Sequence, residues 1–237
     1  MSSTLSTVSL SDHFMIGSAE SGHDFVQNMY GMYIRFDQGI VSEETNLGIA
    51  ARAFDHIYKP LLVSSLGHMT PDDNIPASSI QSGIESGDIT NEQLLKITRD
   101  YKDVLVTLWK THTPNARWTE FKESPLGFPL ITAFEEDSAK FTYAVEISYE
   151  ELIDSPHRVF TAIVEYLLPR QDNPEHELFG EAKRKIDQNI IDEIIDKSGI
   201  RSQREGQHEG LLSSVGIHKQ FLSPEEIDEV NEFVASL

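Results

Sequence analysis

A short apolar run, Leu94-Leu95-Lys96-Ile97-Thr98, passes directly into Arg99-Asp100 and then into Tyr101-Lys102-Asp103-Val104-Leu105-Val106-Thr107. The first run reads as a strand, and Val104 and Leu108 continue the second part at helical spacing. The junction is therefore strand, turn, helix, with an arginine at the strand's end and a hydroxyl eight positions later in the helix. Such a pair can grip one phosphate from two sides.

The rest of the chain repeats this alternation. His13-Phe14-Met15-Ile16-Gly17 is an apolar strand closed by glycine, and Phe25, Met29, Met32/Tyr33 and Phe36 follow at helical spacing. Leu47, Ala50/Ala51, Phe54 and Ile57/Tyr58 mark a second helix that stops before Pro60, and residues 61–65 read as a strand. Residues 67–90 are rich in Pro, Gly, Ser, Asn and Asp, which is loop chemistry with at most a short helix near Ile80. Tyr143-Ala144-Val145-Glu146-Ile147 alternates like a further strand. Ser155-Pro156 then caps a helix carrying Val159, Ile163 and Tyr166/Leu167 on one face. A polar surface loop is expected over residues 170–180. Ser223-Pro224-Glu225-Glu226 is a capping box with proline at the first helical position, and Ile227, Val230, Phe233/Val234 and Leu237 form the stripe of a last helix. Strands alternating with helices predict an α/β fold with a mainly parallel sheet flanked by helices. At 237 residues and 39% hydrophobic content, one domain spanning residues 1–237 is the simplest organisation.

Composition narrows the chemistry. The chain has no cysteine, which excludes disulfides, thiolate metal sites and cysteine nucleophiles together. A formal charge of −20 argues against nucleic-acid or anionic-membrane partners, because both require a basic footprint. Neither an 18-residue apolar run nor a charged-then-apolar leader is evident, so the expectation is a cytoplasmic protein with no membrane span. The nine histidines show no compact metal-ligand spacing, and no metal site is expected from them. Trp109 and Trp118 are expected to pack in the core. Oligomeric state is not legible.

In a parallel α/β sheet, ligands bind beyond the carboxyl ends of the strands, where a glycine-containing loop opening a helix presents free N–H groups to phosphate. Gly17-Ser18-Ala19-Glu20-Ser21-Gly22-His23-Asp24-Phe25 stands directly after the first strand. It lacks the lysine and spacing of a Walker A sequence.

Four blocks together resemble the sulfotransferases that use 3′-phosphoadenosine-5′-phosphosulfate (PAPS). Arg99 to Thr107 is similar to the family's R-x-P-(R/K)-D-x-x-x-(S/T), with Tyr101 in place of the proline. The glycine loop is similar to P-(K/R)-(S/A)-G-T-T-(W/F), with Ser21 and Gly22 in register and Phe25 at the aromatic position. Val145-Glu146-Ile147-Ser148-Tyr149-Glu150-Glu151-Leu152, followed by Ser155-Pro156, resembles the family's Y-E-D-L strand and helix. Val215-Gly216-Ile217-His218-Lys219-Gln220-Phe221-Leu222-Ser223 resembles the G-x-W-(K/R) segment before the last helix. The blocks keep the family's order over nearly the whole chain.

The resemblance implies a P-loop-like sulfotransferase architecture and transfer of a sulfuryl group from PAPS to a hydroxyl or amine of a small acceptor. It implies that Arg99 and Thr107 hold the 3′-phosphate, that the N–H groups of Ser21, Gly22, His23 and Asp24 hold the 5′-phosphosulfate, and that Tyr149 lies near the adenine. The general base such a transfer needs would be His68, in the loop after the Leu61-to-Ser65 strand, or next His23, in the glycine loop.

Two departures oppose catalysis. The family places a lysine or arginine beside the phosphosulfate to stabilise the leaving charge, and here that position is Glu20. The family's late arginine has no counterpart in Leu211-Leu212-Ser213-Ser214, although Arg201 and Arg204 lie upstream. The alternative is therefore a catalytically degenerate descendant that binds a nucleotide or a protein. A P-loop enzyme acting on another nucleotide fits less well, because no Walker lysine or metal-binding serine is in place.

Overall fold

The computed structural model describes residues 13–37, 59–66, 75–167, 186–198, 200 and 215–237. The helix expected over residues 47–58, His68, the loop over residues 170–180, Arg201, Arg204 and the Leu211-to-Ser214 stretch lie outside the described residues.

The sheet has four strands: β1 (Phe14–Gly17), β2 (Leu62–Ser65), β3 (Leu94–Thr98) and β4 (Val145–Ser148), in the order β2-β1-β3-β4. Helix α1 (His23–Asp37) follows β1, and α2 (Ala77–Ser86) and a short 3₁₀ turn (Asn91–Gln93) precede β3. Beyond β3 come α3 (Tyr101–His112), α4 (Trp118–Phe121) and α5 (Phe128–Ser138), then β4, α6 (Tyr149–Asp154), α7 (Pro156–Leu167) and α8 (Gln188–Lys197). The last described elements are α9 (His218–Phe221) and α10 (Pro224–Ala235). Among the described residues no helix is long and apolar enough to cross a membrane.

β1, β3 and β4 run parallel, with Met15 opposite Leu95, Gly17 opposite Ile97 and Thr98 opposite Ser148. The strands are apolar on both faces because both faces are covered. Met15, Leu95, Ile97 and Ile147 point to one side, where α1, α7 and α8 close over them through Val26, Met29, Phe160, Ile163 and Ile194. Phe14, Ile16 and Leu94 point to the other, against Ile80, Ile89 and Phe134.

The expectation of a mainly parallel sheet needs correction at one edge. β2 pairs with β1 antiparallel, Phe14 opposite Ser65 and Gly17 opposite Leu62, so the sheet is mixed. The sequence between β1 and β2 is long enough to return the chain in either direction. The alternation that buries Val63 on one face and Ser64 on the other suits an edge strand of either sense.

Local signals placed the helix ends. Asp100 caps α3 by accepting from the Lys102 N–H, and Ser223 with Glu226 forms the reciprocal capping box of α10 with Pro224 at its first turn. The short helix allowed near Ile80 is α2, which Ile80 anchors in the core and Gly87, at φ 83°, ends. Trp109 and Trp118 pack with Phe121 in a third cluster that also holds Ala19, Val104, Ile217 and Val230.

Candidate functional site at the carboxyl edge of the parallel strands

Gly17, Thr98 and Ser148 end the three parallel strands at one edge of the sheet, and the glycine loop, Arg99 and Tyr149 emerge there together. Gly17 has no room for a side chain: a Cβ would lie 2.6 Å from Ser21 Oγ and 2.7 Å from Ile97 Cγ2. The loop then curls. The Ser18 carbonyl accepts from the Ser21 N–H, Glu20 adopts φ 60° and Gly22 φ 88°, and the Gly22 carbonyl receives Phe25 and Val26 as α1 begins. The first N–H groups of a helix have no partner within it, so this curl aims α1's opening turn at the strand edge.

Arg99 is buried at the mouth of the loop. Its Nη1 donates to the Glu20 carbonyl at 3.1 Å and to Thr107 Oγ1 at 3.4 Å, and its guanidinium stands 5.2 Å from the Tyr149 ring. The Thr107 hydroxyl donates back to the Asp103 carbonyl at 2.7 Å. Tyr149 opens α6 and lies flat on the loop, so that a Cβ on Gly22 would come within 2.3 Å of its ring. Burial pushes its phenol above the usual tyrosine range, and the Arg99 charge opposes that shift. Ser21 is fully buried and its Oγ has no hydrogen-bond partner among the described residues. A buried hydroxyl left that way is destabilising unless a ligand oxygen meets it.

Five of the residues singled out from sequence thus converge: Ser21, Gly22, Arg99, Thr107 and Tyr149. Asp24 contributes its backbone to the first turn of α1. His23 is placed differently. Its ring is buried, with Nε2 at 3.0 Å from both the Met15 carbonyl and Ser64 Oγ, so it ties α1 to β1 and β2 and does not open onto the loop. The position of Glu20 is informative. While its carbonyl serves Arg99, its carboxylate reaches to 4.0 Å from Nε2 of His112, in the last turn of α3. Burial holds the His112 imidazole below the usual histidine range.

Two features escaped sequence reading. Asp103, four residues from both Arg99 and Thr107, is buried and accepts from the Gly216 N–H at 2.6 Å, the His218 N–H at 3.0 Å and His218 Nδ1 at 2.5 Å. An acid on the apolar face of a helix was its only signal. Tyr101, where the resemblance expects proline, donates its hydroxyl to Glu135, which also pairs with Lys96 at 3.7 Å. Burial and the Glu135 carboxylate raise the Tyr101 phenol strongly. Proline at a first helical position fixes φ without losing a helical bond; tyrosine gives up that restraint and gains a tether to α5. Tyr101→Phe is expected to lower stability by about 1 kcal/mol, read as a small fall in the denaturant midpoint with an unchanged slope.

No protein-family model, no curated protein and no solved structure matches this chain.

Proposed function

We propose that this chain is a sulfotransferase-like protein that takes PAPS at the carboxyl edge of β1 and β3 and transfers its sulfuryl group to a hydroxyl or amine of a small acceptor. One observation carries the reading: a buried arginine and a threonine hydroxyl meet beside a glycine loop that opens a helix, between two parallel strands. The orphan Ser21 hydroxyl inside that loop supports it further, since an anion's oxygen is the kind of partner such a hydroxyl lacks. On this reading Arg99 and Thr107 hold the 3′-phosphate, and the N–H groups of Gly22, His23 and Asp24 face the 5′-phosphosulfate, while Ser21, whose N–H is taken by the Ser18 carbonyl, offers its hydroxyl. Tyr149 closes the loop on the side of Gly22. PAPS would supply the activated sulfuryl group. A P-loop-like sulfotransferase architecture and a cytoplasmic setting belong to the same proposal, the latter resting on sequence alone.

A second reading, binding without transfer, is favoured by Glu20. A carboxylate in the loop opposes the charge that builds on a departing phosphate, where the family supplies a cation.

The test is thermal unfolding with 3′-phosphoadenosine-5′-phosphate (PAP). A competent site at about a hundredfold excess over its dissociation constant gains about 2.7 kcal/mol, equivalent to roughly 5–10 °C for a chain of this size. Arg99→Ala should abolish the shift. Thr107→Val keeps the shape of the side chain and should at least halve the shift while leaving the ligand-free protein folded. Absence of any shift in the parent at millimolar PAP would remove the nucleotide site from consideration. A shift without sulfate transfer to a panel of alcohols and amines would establish the second reading.

A further inference from the structure

Glu20 and Thr107 anchor Arg99 through its side chain, and a further contact anchors it through its backbone. The β3–β4 ladder ends where Thr98 lies opposite Ser148, so Arg99 and Asp100 stand past its last paired residues. Beyond that point the Asp100 N–H donates to Glu150 Oε1 at 2.8 Å, and Glu150 Oε2 receives the Ser148 hydroxyl at 2.8 Å. One carboxylate thus spans the exits of both strands. The peptide plane that carries the Asp100 N–H also carries the Arg99 carbonyl, so holding that plane fixes ψ of Arg99. The direction in which the arginine side chain leaves the strand is then fixed as well. Glu150 also follows Tyr149 in the chain, and the Tyr149 ring stands 5.2 Å from the Arg99 guanidinium. Arginine and tyrosine are therefore set relative to each other through the one side chain that reaches from α6 to the end of β3.

We propose that Glu150 is a positioning residue for the phosphate grip: its carboxylate clamps the peptide after Arg99 and so holds the guanidinium against Thr107 and Tyr149. The inference rests on the nucleotide-binding reading above. In this role Glu150 touches no ligand. A negative charge near an anion site opposes binding by itself, so Glu150 serves the site through what it holds in place. Glutamate in the first turn of a helix is also favoured by the helix dipole. That effect needs only charge, whereas the contact with Asp100 needs side-chain length and an acceptor oxygen, and the two requirements separate by substitution.

The experiment is isothermal titration of PAP into the full chain, for the parent, Glu150→Ala, Glu150→Asp and Glu150→Gln, with a ligand-free melting curve for each. Glu150→Ala should bind PAP at least about tenfold more weakly, since misplacing a contact by about 1 Å can cost a hundredfold. Glu150→Asp keeps the charge but retracts the carboxylate by one methylene, and should weaken binding nearly as much. Glu150→Gln keeps the length and the acceptor without the charge, and should bind within about twofold of the parent. Arginine side-chain NMR adds a readout that needs no ligand. The Arg99 signals, assigned with Arg99→Lys, should carry the ring shift of Tyr149 in the parent and in Glu150→Gln, and lose it in the other two variants. If Glu150→Ala does not fold, Glu150→Asp carries the comparison. PAP binding by Glu150→Asp as tight as the parent's would overturn the positioning role. Weak binding by Glu150→Gln, equal to that of Glu150→Asp, would overturn it too, leaving the residue a first-turn charge. Arg99 signals identical in the parent and every Glu150 variant would overturn the clamp while leaving the nucleotide site intact. Failure of the parent to bind PAP would overturn the nucleotide reading itself, and with it the grip that the clamp serves.

Discussion

Asp103→Ala is expected to lower stability by about 3–5 kcal/mol, a fall in Tm of roughly 10 °C for a chain of this length. The carboxylate is 1% exposed and accepts from three nitrogens of one distant segment, two of them backbone N–H groups. Removing it leaves all three donors facing a cavity, and each buried donor so abandoned is destabilising by about 1–3 kcal/mol. Water entering the space recovers part of this, which is why the expected total falls below the sum. The damage should also have an address. Gly216 and His218 are joined to the core by this clasp and by Ile217 and Leu222, so a protease should cut the variant near residues 215–222 while the parent resists. A Tm within two degrees of the parent, with an unchanged cleavage pattern, would show that apolar packing alone holds the segment. Asp103→Asn should lie between the two, since its remaining oxygen still serves one or two donors.

Gly22→Ala should have an effect of about 2–4 kcal/mol from two sources that can be separated. At φ 88° any side chain is strained, and here the added carbon would also stand 2.3 Å from Tyr149 Cδ2. The ring has nowhere to retreat, being 3% exposed and held between the Arg99 guanidinium and the edge of Phe25. Gly87 supplies the control: its φ of 83° is nearly the same, but a Cβ there would meet nothing within 4 Å. Gly87→Ala should therefore show backbone strain alone, about 1 kcal/mol. The excess at Gly22 measures the tyrosine contact. Tyr149→Ala in the Gly22→Ala background should restore part of the loss, and equal melting temperatures for the two glycine variants would contradict the close packing of Tyr149 on the loop. PAP binding should fail in Gly22→Ala even where the protein is folded, because the first turn of α1 must shift to admit the methyl.

What could be read from the sequence was what short-range physics determines. The strand leading to Arg99, the glycine after Ile16, the hydroxyl of Thr107 and the Ser223-to-Glu226 cap each declare themselves within a few residues, through periodicity or capping chemistry. The direction of β2 did not, because strand sense at a sheet edge is decided by pairing with β1, and the intervening chain permits either. The Asp103 clasp joins residues 115 positions apart, and no local pattern distinguishes its carboxylate from a solvated one. The place of the His23 ring was not legible either. Its place in a phosphate-type loop suggested chemistry, but a helix start also turns side chains inward, and Ser64 and the Met15 carbonyl were waiting for a ring nitrogen. Glu20 was legible as a wrong charge, whereas its approach to His112 required the left-handed turn of its own backbone.

The missing side chain at Gly17 bears on how the chain assembles. In a parallel pair, slipping by one residue turns every side chain of the strand to the opposite face. Such a slip between β1 and β3 would carry Arg99 away from the Glu20 carbonyl and set Lys96 or Thr98, in place of Ile97, against the bare backbone of Gly17. Ile97 Cγ2 shares that notch with Ser21 Oγ, so Gly17 acts as a keyway that favours β3 in a single setting. Because the two strands are separated by most of a hundred residues, the keyway guards the slowest pairing in the sheet. The tight curl of the glycine loop is then a by-product of the same notch that checks whether the sheet has been put together in register.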